Sequence, residues 1–126
     1  MHEGMNKMLS SKGERLIHQY LEYLDIPFEE EYIFDDLKAE NGKPLRFDFA
    51  LFDDDGSLMA LLEYNGRQHY VSVGKYGGAK GLARQRHNDA AKRQYCLKNN
   101  YRLISIPYTQ EEDLSPSFLS NLIYGY

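Results

Sequence analysis

The spacing of apolar residues predicts helices and strands in a definite order along the chain. Apolar side chains recur every three or four positions between 16 and 24, which predicts a helix capped by Ser10 or Ser11 and ended at about residue 24. Alternating apolar residues then predict three strands, at 28–34, 45–52 and 57–64. Two turn sequences separate these strands: Asn41-Gly42 and DDDG at 53–56.

The second half of the chain continues this alternation. A glycine-rich loop at 74–81 precedes a predicted helix at 82–98, which Asn99-Asn100 ends. A short strand at 101–107 and a helix at 116–124 complete the order αβββαβα. A meander of hairpins followed by a helical crossover predicts an α/β fold, with a mixed central sheet flanked by helices.

Composition limits the class of protein. The chain has 126 residues, 42% of them hydrophobic and 27% charged, which fits one globular domain and excludes a disordered chain. We expect this domain to span 10–126, after a loose tail at 1–9. The single cysteine, Cys96, excludes an intrachain disulfide and a cysteine-based zinc cluster, and it favours a reducing, cytoplasmic setting. The longest apolar run, 58–62, is too short to cross a membrane.

Charge is divided unevenly along the chain. The net formal charge of −4, read alone, argues against a nucleic-acid partner. Residues 25–63, however, contain twelve acidic and three basic side chains, whereas 75–102 contain eight basic side chains and one acid, Asp89. This asymmetry favours a basic face beside an acidic pocket or edge. A basic helix that is merely solvated is the alternative interpretation.

Two carboxylates occupy predicted strands that are otherwise apolar. Alternation puts Asp48 on the face opposite the apolar side chains of its strand, which are Leu45, Phe47, Phe49 and Leu51. Glu63 closes the apolar run 58–62, and the DDDG turn brings the two carboxylates onto neighbouring strands. Carboxylates this close repel each other unless a divalent cation lies between them. A solvated face, or an ion pair between Asp48 and Arg46, would also explain Asp48.

His69 and Asp89 complete the set of chemically active residues. The turn at Asn65-Gly66 returns His69 to the end of the strand that carries Glu63, in the kind of loop that carries function. On the second predicted helix, spacings of three and four residues align Asp89 with Gln85, Lys92, Arg93 and Cys96. A surface histidine and an ordinary helical Asp–Lys or Asp–Arg pair are the alternatives. These two residues and the two carboxylates nevertheless fall where one end of the sheet can gather them.

A family resemblance is carried by four segments: RFDF (46–49), LEYNGRQHY (62–70), QRHNDAAK (85–92) and LISIPY (103–108). With the helix that contains Glu14, they resemble the PD-(D/E)XK nuclease superfamily. The similarity is greatest to the branch of very-short-patch-repair endonucleases and phage EDxHD homing endonucleases, and it covers about residues 10–108. It implies a restriction-endonuclease-like core and a metal-dependent endonuclease that hydrolyses phosphodiester bonds of DNA.

The resemblance also implies a role for each matching residue. Glu14 corresponds to the family's first Glu, Asp48 to its central metal-binding Asp, His69 to its His, Asp89 to its last Asp, and Glu63 to the acid of the general motif. That motif has a lysine two residues after the acid, but this chain has Asn65, so His69 or Lys92 must activate water. The implied catalytic set is Glu14, Asp48, Glu63, His69, Asp89 and Lys92. The implied ligands of Mg²⁺ or Mn²⁺ are Asp48, Glu63 and His69.

A DNA backbone is bound by cationic contacts that need no sequence specificity. The expected nucleic-acid contacts are Arg67, Gln68, Lys75, Lys80, Arg84, Arg86 and Arg93. Tyr70 and Tyr76 offer rings for stacking on a splayed base. A double-strand break would need a homodimer, two successive events or a larger phage or host assembly. Two other functions stay open: a nuclease fold that holds nucleic acid without cutting it, and a domain whose acidic clusters at 29–31 and 53–55 bind a basic protein.

Overall fold

Helices and strands follow the predicted order in the computed structural model, which describes residues 11–125. The helices are α1 (Lys12–Tyr23), α2 (Gly78–Asn99) and α3 (Pro116–Tyr124). The strands are β1 (Phe28–Lys38), β2 (Pro44–Phe52), β3 (Leu58–Asn65) and β4 (Leu103–Pro107). The predicted tail at 1–9 and the alternative cap Ser10 lie outside the described residues.

The four strands form one mixed sheet in the order β1-β2-β3-β4. β1, β2 and β3 are antiparallel neighbours, and α2 carries the chain across to β4, which pairs parallel to β3. One face of the sheet packs against α1 and α3, in a core that includes Ile17 and Leu119. The other face packs against α2, in a core that includes Leu61 and Cys96. The prediction of an α/β fold with a mixed central sheet flanked by helices is confirmed.

The side chains that begin α1 and α3 act as predicted. Ser11 Oγ accepts a hydrogen bond from the backbone N–H of Glu14 at 3.2 Å, and Glu14 Oε1 accepts one from the backbone N–H of Ser11 at 3.2 Å. This reciprocal cap satisfies two backbone donors at the start of the helix. Ser115 caps α3, with Pro116 in its first turn.

Two elements are longer than the sequence predicts. β1 continues past residue 34 to Lys38, because Leu37 is buried in the core shared with α2. α2 begins earlier than predicted, at Gly78. Gly81 in its first turn packs closely against the chain that precedes the helix, because a Cβ on Gly81 would lie 1.8 Å from the carbonyl oxygen of Tyr76. Within residues 11–125, no helix combines the length and the apolar character needed to cross a membrane.

The side chains of β1 and β2 change faces near Asp48. Leu45 and Phe47 pack in the core shared with α2. Phe49 and Leu51 pack in the core shared with α1 and α3. The predicted common face for these four residues is therefore wrong. The register places Glu31 of β1 opposite Asp48, and Glu31 has a φ of 52°, in the left-handed region. Such a residue interrupts the regular pleat, so alternation does not carry through this level of the sheet.

Candidate functional site

Asp48 and Glu63 lie next to each other where the pairing of β2 and β3 stops. The antiparallel ladder runs as far as Phe49 and Leu62, and the two acids are the next residues on their strands. The backbone N–H of Tyr64 donates to Asp48 Oδ2 at 2.8 Å. The side chain of Asp48 thus connects the two strands beyond the end of the ladder, and it brings its carboxylate to the sheet end that carries Glu63.

The Asp48 carboxylate is largely buried beside other negative charge. Burial raises its pKa most, the carboxylate of Glu14 raises it next, and Glu63 adds a smaller increase. The hydrogen bond from Tyr64 and the charge of Lys92 act in the opposite direction. The balance raises the pKa of Asp48 to about 7, so this carboxyl ionises near neutral pH.

Arg46 does not neutralise Asp48. Its Nη1 donates to Glu31 Oε1 at 2.7 Å, and both of these side chains are exposed. Between residues 11 and 125, no lysine, arginine or histidine forms an ion pair with Asp48. The alternative explanation of Asp48 by Arg46 is therefore wrong, and the site has negative charge that a bound cation would compensate.

Glu63 has a cationic partner from α2. Lys92 Nζ lies 2.6 Å from Glu63 Oε2, both residues are buried, and the same ammonium is 5.5 Å from the ring centre of Phe47. Burial raises the pKa of the Glu63 carboxyl above its usual range, and the Lys92 charge opposes this increase. A lysine therefore stands beside Glu63, although Asn65 occupies the position at which the motif that the chain resembles has a lysine.

His69 is positioned by Asp89. It ends a short 3-10 helix (Arg67–His69) that follows β3, and its Nδ1 lies 3.0 Å from Asp89 Oδ2. Gln85 Nε2 donates to the other oxygen, Asp89 Oδ1, at 3.1 Å. Burial opposes ionisation of Asp89, but the contacts with His69 and Gln85 outweigh it and lower its pKa. Asp89 engages one ring nitrogen, which leaves Nε2 of His69 for proton transfer or metal binding.

Glu14 approaches Asp48 from the first turn of α1. Its Oε1 accepts hydrogen bonds from the Ser11 backbone and hydroxyl, at 3.2 and 3.0 Å, while its charge raises the pKa of Asp48. Gly13 makes this approach possible, because a Cβ there would lie 2.3–2.6 Å from ring atoms of Tyr64. Glu14 therefore has a helix-capping role besides the catalytic role that the resemblance implies.

The donor atoms at this end of the sheet suit a hard divalent cation. Asp48 and Glu63 are close enough for the charge of Glu63 to raise the pKa of Asp48. Asn65 Oδ1 is buried with no hydrogen-bond partner in the described part of the chain. The resemblance implies Asp48, Glu63 and His69 as ligands, but among residues 11–125 no three or more His, Cys, Asp or Glu side chains lie close enough together to hold one metal ion, so His69 does not complete this set. Mg²⁺ is usually held by one or two carboxylates and completes its shell with water and substrate phosphate, so this donor set fits it.

Part of the predicted nucleic-acid surface lies beside the histidine. A cleft of about 340 Å³ is lined by Gln68, Tyr76, Gly81, Arg84, Gln85 and Asn88. Lys75 lies 5.5 Å from the ring centre of Tyr76, at the wall of this cleft. The cleft and the His69–Asp89 pair share Gln85, so the two sites adjoin.

Other predicted contacts lie outside this cleft. Arg86 Nη2 donates to the carbonyl oxygen of Tyr70 at 3.4 Å, while Arg67 and Lys80 are exposed. Arg93 lines a second cleft, of about 300 Å³, whose other walls are Cys96, Leu97, Tyr101, Leu103 and Ser105. The predicted cations therefore do not form one continuous lining, and Arg93 is separated from the cleft beside His69.

Tyr64 and Gln85 belong to the site, although neither is among the predicted site residues. Tyr64 donates its backbone N–H to Asp48 and its hydroxyl to Glu111 Oε1 at 2.8 Å. A backbone donor carries no signature in the side-chain sequence, so this contact has no signal. Gln85 has one, because it precedes Asp89 by four residues and therefore shares its helix face.

Three viral proteins are similar to parts of this chain. A 58-residue segment is 45% identical to Uncharacterized protein 094L of frog virus 3 (isolate Goorha), over 44% of this chain and 37% of that protein. An 82-residue segment is 34% identical to Uncharacterized protein 307L of invertebrate iridescent virus 6, over 64% of this chain and 41% of that protein. A 63-residue segment is 36% identical to Uncharacterized protein 033L of invertebrate iridescent virus 3, over 48% of this chain and 32% of that protein. The matches thus span about two-fifths or less of each viral protein. No family model and no solved structure matches the chain.

Proposed function

We propose that this protein is a metal-dependent endonuclease that hydrolyses phosphodiester bonds of DNA, with Mg²⁺ or Mn²⁺ as its metal. One observation carries the proposal: Asp48 is largely buried next to Glu63 and near Glu14, and its pKa is raised to about 7. Buried carboxylates that repel one another destabilise a fold, so a cation between them gives a reason for the arrangement. Strongly perturbed ionisable groups are concentrated at functional sites.

Asp48 and Glu63 are the residues that would hold the metal, with Asn65 Oδ1 as a neutral oxygen nearby. When bound, the cation would offset the negative charge on the phosphate oxygens and lower the pKa of an attacking water. Lys92 keeps Glu63 Oε2 paired and so fixes the orientation of that carboxylate. In this proposal, the ammonium of Lys92 takes the place beside Glu63 that a lysine at position 65 would otherwise occupy.

His69 is the proton carrier in this proposal. Hydrolysis forms a bond from water oxygen to phosphorus and breaks one ester P–O bond, so one proton leaves the water and one reaches the departing oxygen. Nε2 of His69 accepts or returns that proton, and Asp89 holds the ring through Nδ1. An imidazole suits this role because it can both accept and donate a proton.

The partner in this proposal is DNA, bound through cations such as Arg84 and Lys75 beside the cleft. One site cuts one strand, so a double-strand cut would use a homodimer or a larger assembly. The single cysteine, Cys96, is buried and free, which suits a reducing compartment such as the cytoplasm.

Incubation of the purified protein with supercoiled plasmid, single strands and branched duplexes tests the proposal. Each DNA is incubated with Mg²⁺, Mn²⁺ or EDTA, and gel electrophoresis measures the cut fraction. We expect cutting with either metal and none in EDTA. Asp53→Asn, which removes an exposed carboxylate in the β2–β3 turn, is the matched control and should cut like the wild type. Folded wild-type protein that cuts none of these DNAs with either metal would contradict the proposal.

A second candidate is a module of the same fold that binds nucleic acid without cutting it. The observation in its favour is the 2.6 Å contact between Lys92 and Glu63, because this ion pair occupies one oxygen of a metal-binding acid. Such a module would bind DNA in a salt-dependent manner in EDTA and would still leave plasmid uncut after metal is added.

A further inference from the structure

We infer that the cleft beside His69 holds one unpaired nucleotide of the DNA, so that the substrates of this site are DNAs with an unpaired or extruded base. The inference rests on the proposed function and names its substrate class. The walls of the cleft come from the two 3-10 helices that directly follow β3 (Arg67–His69 and Gly74–Tyr76) and from the first half of α2.

The size of the cleft favours a single nucleotide. Its volume of about 340 Å³ lies at the lower end of small-molecule sites, which span roughly 300–1,000 Å³. A double helix is too wide to enter such a cleft, and a base must leave the stack to reach it. A cleft of this size has room for one base with its sugar and phosphate.

The lining has the chemistry that recognises a base. The side-chain amides of Gln68 and Asn88 each offer donors and an acceptor, which suit the hydrogen-bonding edge of a nucleobase. Tyr76 is 49% exposed at the wall. Lys75 Nζ lies over one face of its ring, 5.5 Å from the centre, so a base would stack on the other face. Arg84 adds the cation that a nucleotide phosphate requires.

The backbone at Tyr76 is held in place by the fold. Gly77, with a φ of 92°, turns the chain directly after it, and Gly81 packs against its carbonyl oxygen with no room for a Cβ. The backbone N–H of Tyr76 donates to the carbonyl oxygen of Val73 at 2.9 Å. With the backbone fixed, only the side-chain torsions of Tyr76 have to be ordered when a base stacks on its ring, which favours binding.

The cleft leads directly to the proposed catalytic residues. Gln85 lines it and donates to Asp89, one helical turn further along α2. Gln68 lines it and immediately precedes His69. A nucleotide in the cleft therefore brings an adjoining phosphate towards His69, which couples recognition of the unpaired base to the site of cutting.

Binding without metal tests this inference separately from cutting. Fluorescence anisotropy in EDTA compares three labelled DNAs: a paired 20-bp duplex, the same duplex with a central one-nucleotide bulge, and a single strand. We expect the bulged duplex to bind about tenfold more tightly than the paired one. Tyr76→Ala and Asn88→Ala should each remove most of this preference. Stacking on one base is worth roughly five- to a hundredfold in affinity, and Asn88→Ala removes hydrogen bonds to the edge of the base. Tyr23→Ala removes an exposed tyrosine on α1 and is the control that should change nothing.

The outcomes separate the inference from the proposed function. Equal affinity for the three DNAs overturns the inference, and so does an equal loss of affinity for all three in both cleft variants. A protein that cuts plasmid but shows no preference for the bulge overturns the inference alone. A metal-free preference for the bulge that both cleft variants abolish supports the inference, even where no metal elicits cutting and the proposed function fails.

Discussion

Lys92 Nζ lies 2.6 Å from Glu63 Oε2, and both side chains are buried at the junction of α2 and β3. A buried ion pair rarely stabilises a fold more than apolar residues of the same shape, because desolvation offsets the attraction. Removal of one partner is costly, however, because it leaves a charge without its counterion. The pair is therefore better explained by a carboxylate that the site needs in one orientation than by stability.

We expect Lys92→Met and Glu63→Gln each to lower the free energy of unfolding, Lys92→Met by about 3–5 kcal/mol because Glu63 is then buried without a cation. The double variant should lose clearly less than the sum of the two single losses. Urea denaturation of the four proteins at pH 7 measures this coupling. Strictly additive losses would show that the two groups do not depend on each other.

The raised pKa of Asp48 predicts that the metal-free protein loses stability as pH rises from about 4 to about 7. In this window the native state keeps a proton that the unfolded chain has released, so the native state binds more protons and is favoured at lower pH. Asp48→Asn keeps an oxygen that can accept from Tyr64 N–H, but it removes the titration. We expect it to raise the free energy of unfolding by about 1–3 kcal/mol at pH 8, and by much less at pH 4.

Thermal unfolding in EDTA at several pH values measures this difference. Asp53→Asn serves as the control, because that carboxylate is exposed in a turn. A stabilisation by Asp48→Asn that is the same at pH 4 and pH 8 would mean that Asp48 ionises normally in the folded protein.

The contact between His69 and Asp89 predicts a proton-transfer role for the histidine. His69→Ala should lower the cutting rate by about two to four orders of magnitude while Mn²⁺ binding stays at the wild-type level. His87→Ala changes an exposed histidine on the same helix as Asp89 and should leave the rate unchanged. Calorimetric titration with Mn²⁺ and a timed cutting assay measure the two effects. If metal affinity falls in step with the rate, His69 is a ligand and Lys92 or the metal-bound water carries the proton transfer.

The contact between Gly13 and Tyr64 predicts a steric effect on stability. In Gly13→Ala the new Cβ would lie 2.3–2.6 Å from ring atoms of Tyr64, so the ring or α1 must shift. We expect a loss of about 1–3 kcal/mol in the free energy of unfolding, measured by urea denaturation. Gly74→Ala is the matched control, because a Cβ there meets nothing within 4 Å. Equal stability of the two variants would refute the close packing at Gly13.

The order of the elements could be predicted because each depends on local signals. The cap at Ser11, the cap and proline at 115–116 and the turn at 53–56 are written into neighbouring residues. The start of α2 and the end of β1 could not be predicted, because distant packing decides them. From the sequence, Gly81 is expected to interrupt a helix, and only its close packing against Tyr76 explains a glycine within α2. The burial of Leu37 depends on α2.

The residues of the candidate site could be predicted more readily than their partners. Asp48 and Glu63 stand out as acids in apolar strands, and the hairpin between them makes them neighbours. The sequence offered Arg46 as a partner for Asp48, but a change of face at that level of the sheet gives Arg46 to Glu31 instead. The pairing of Lys92 with Glu63 depends on how α2 crosses the sheet, which no local pattern specifies.

The most direct test of metal-dependent cutting at Asp48 measures cutting and binding of the same DNA by the wild type and by Asp48→Ala. With Mg²⁺, we expect the variant to lose cutting entirely while its DNA affinity in anisotropy stays equal to or rises above that of the wild type. The reason is that binding depends on lysines and arginines, and removal of a carboxylate near a phosphate removes a repulsion. Cutting by Asp48→Ala at the wild-type rate would contradict this assignment and favour the module that binds without cutting.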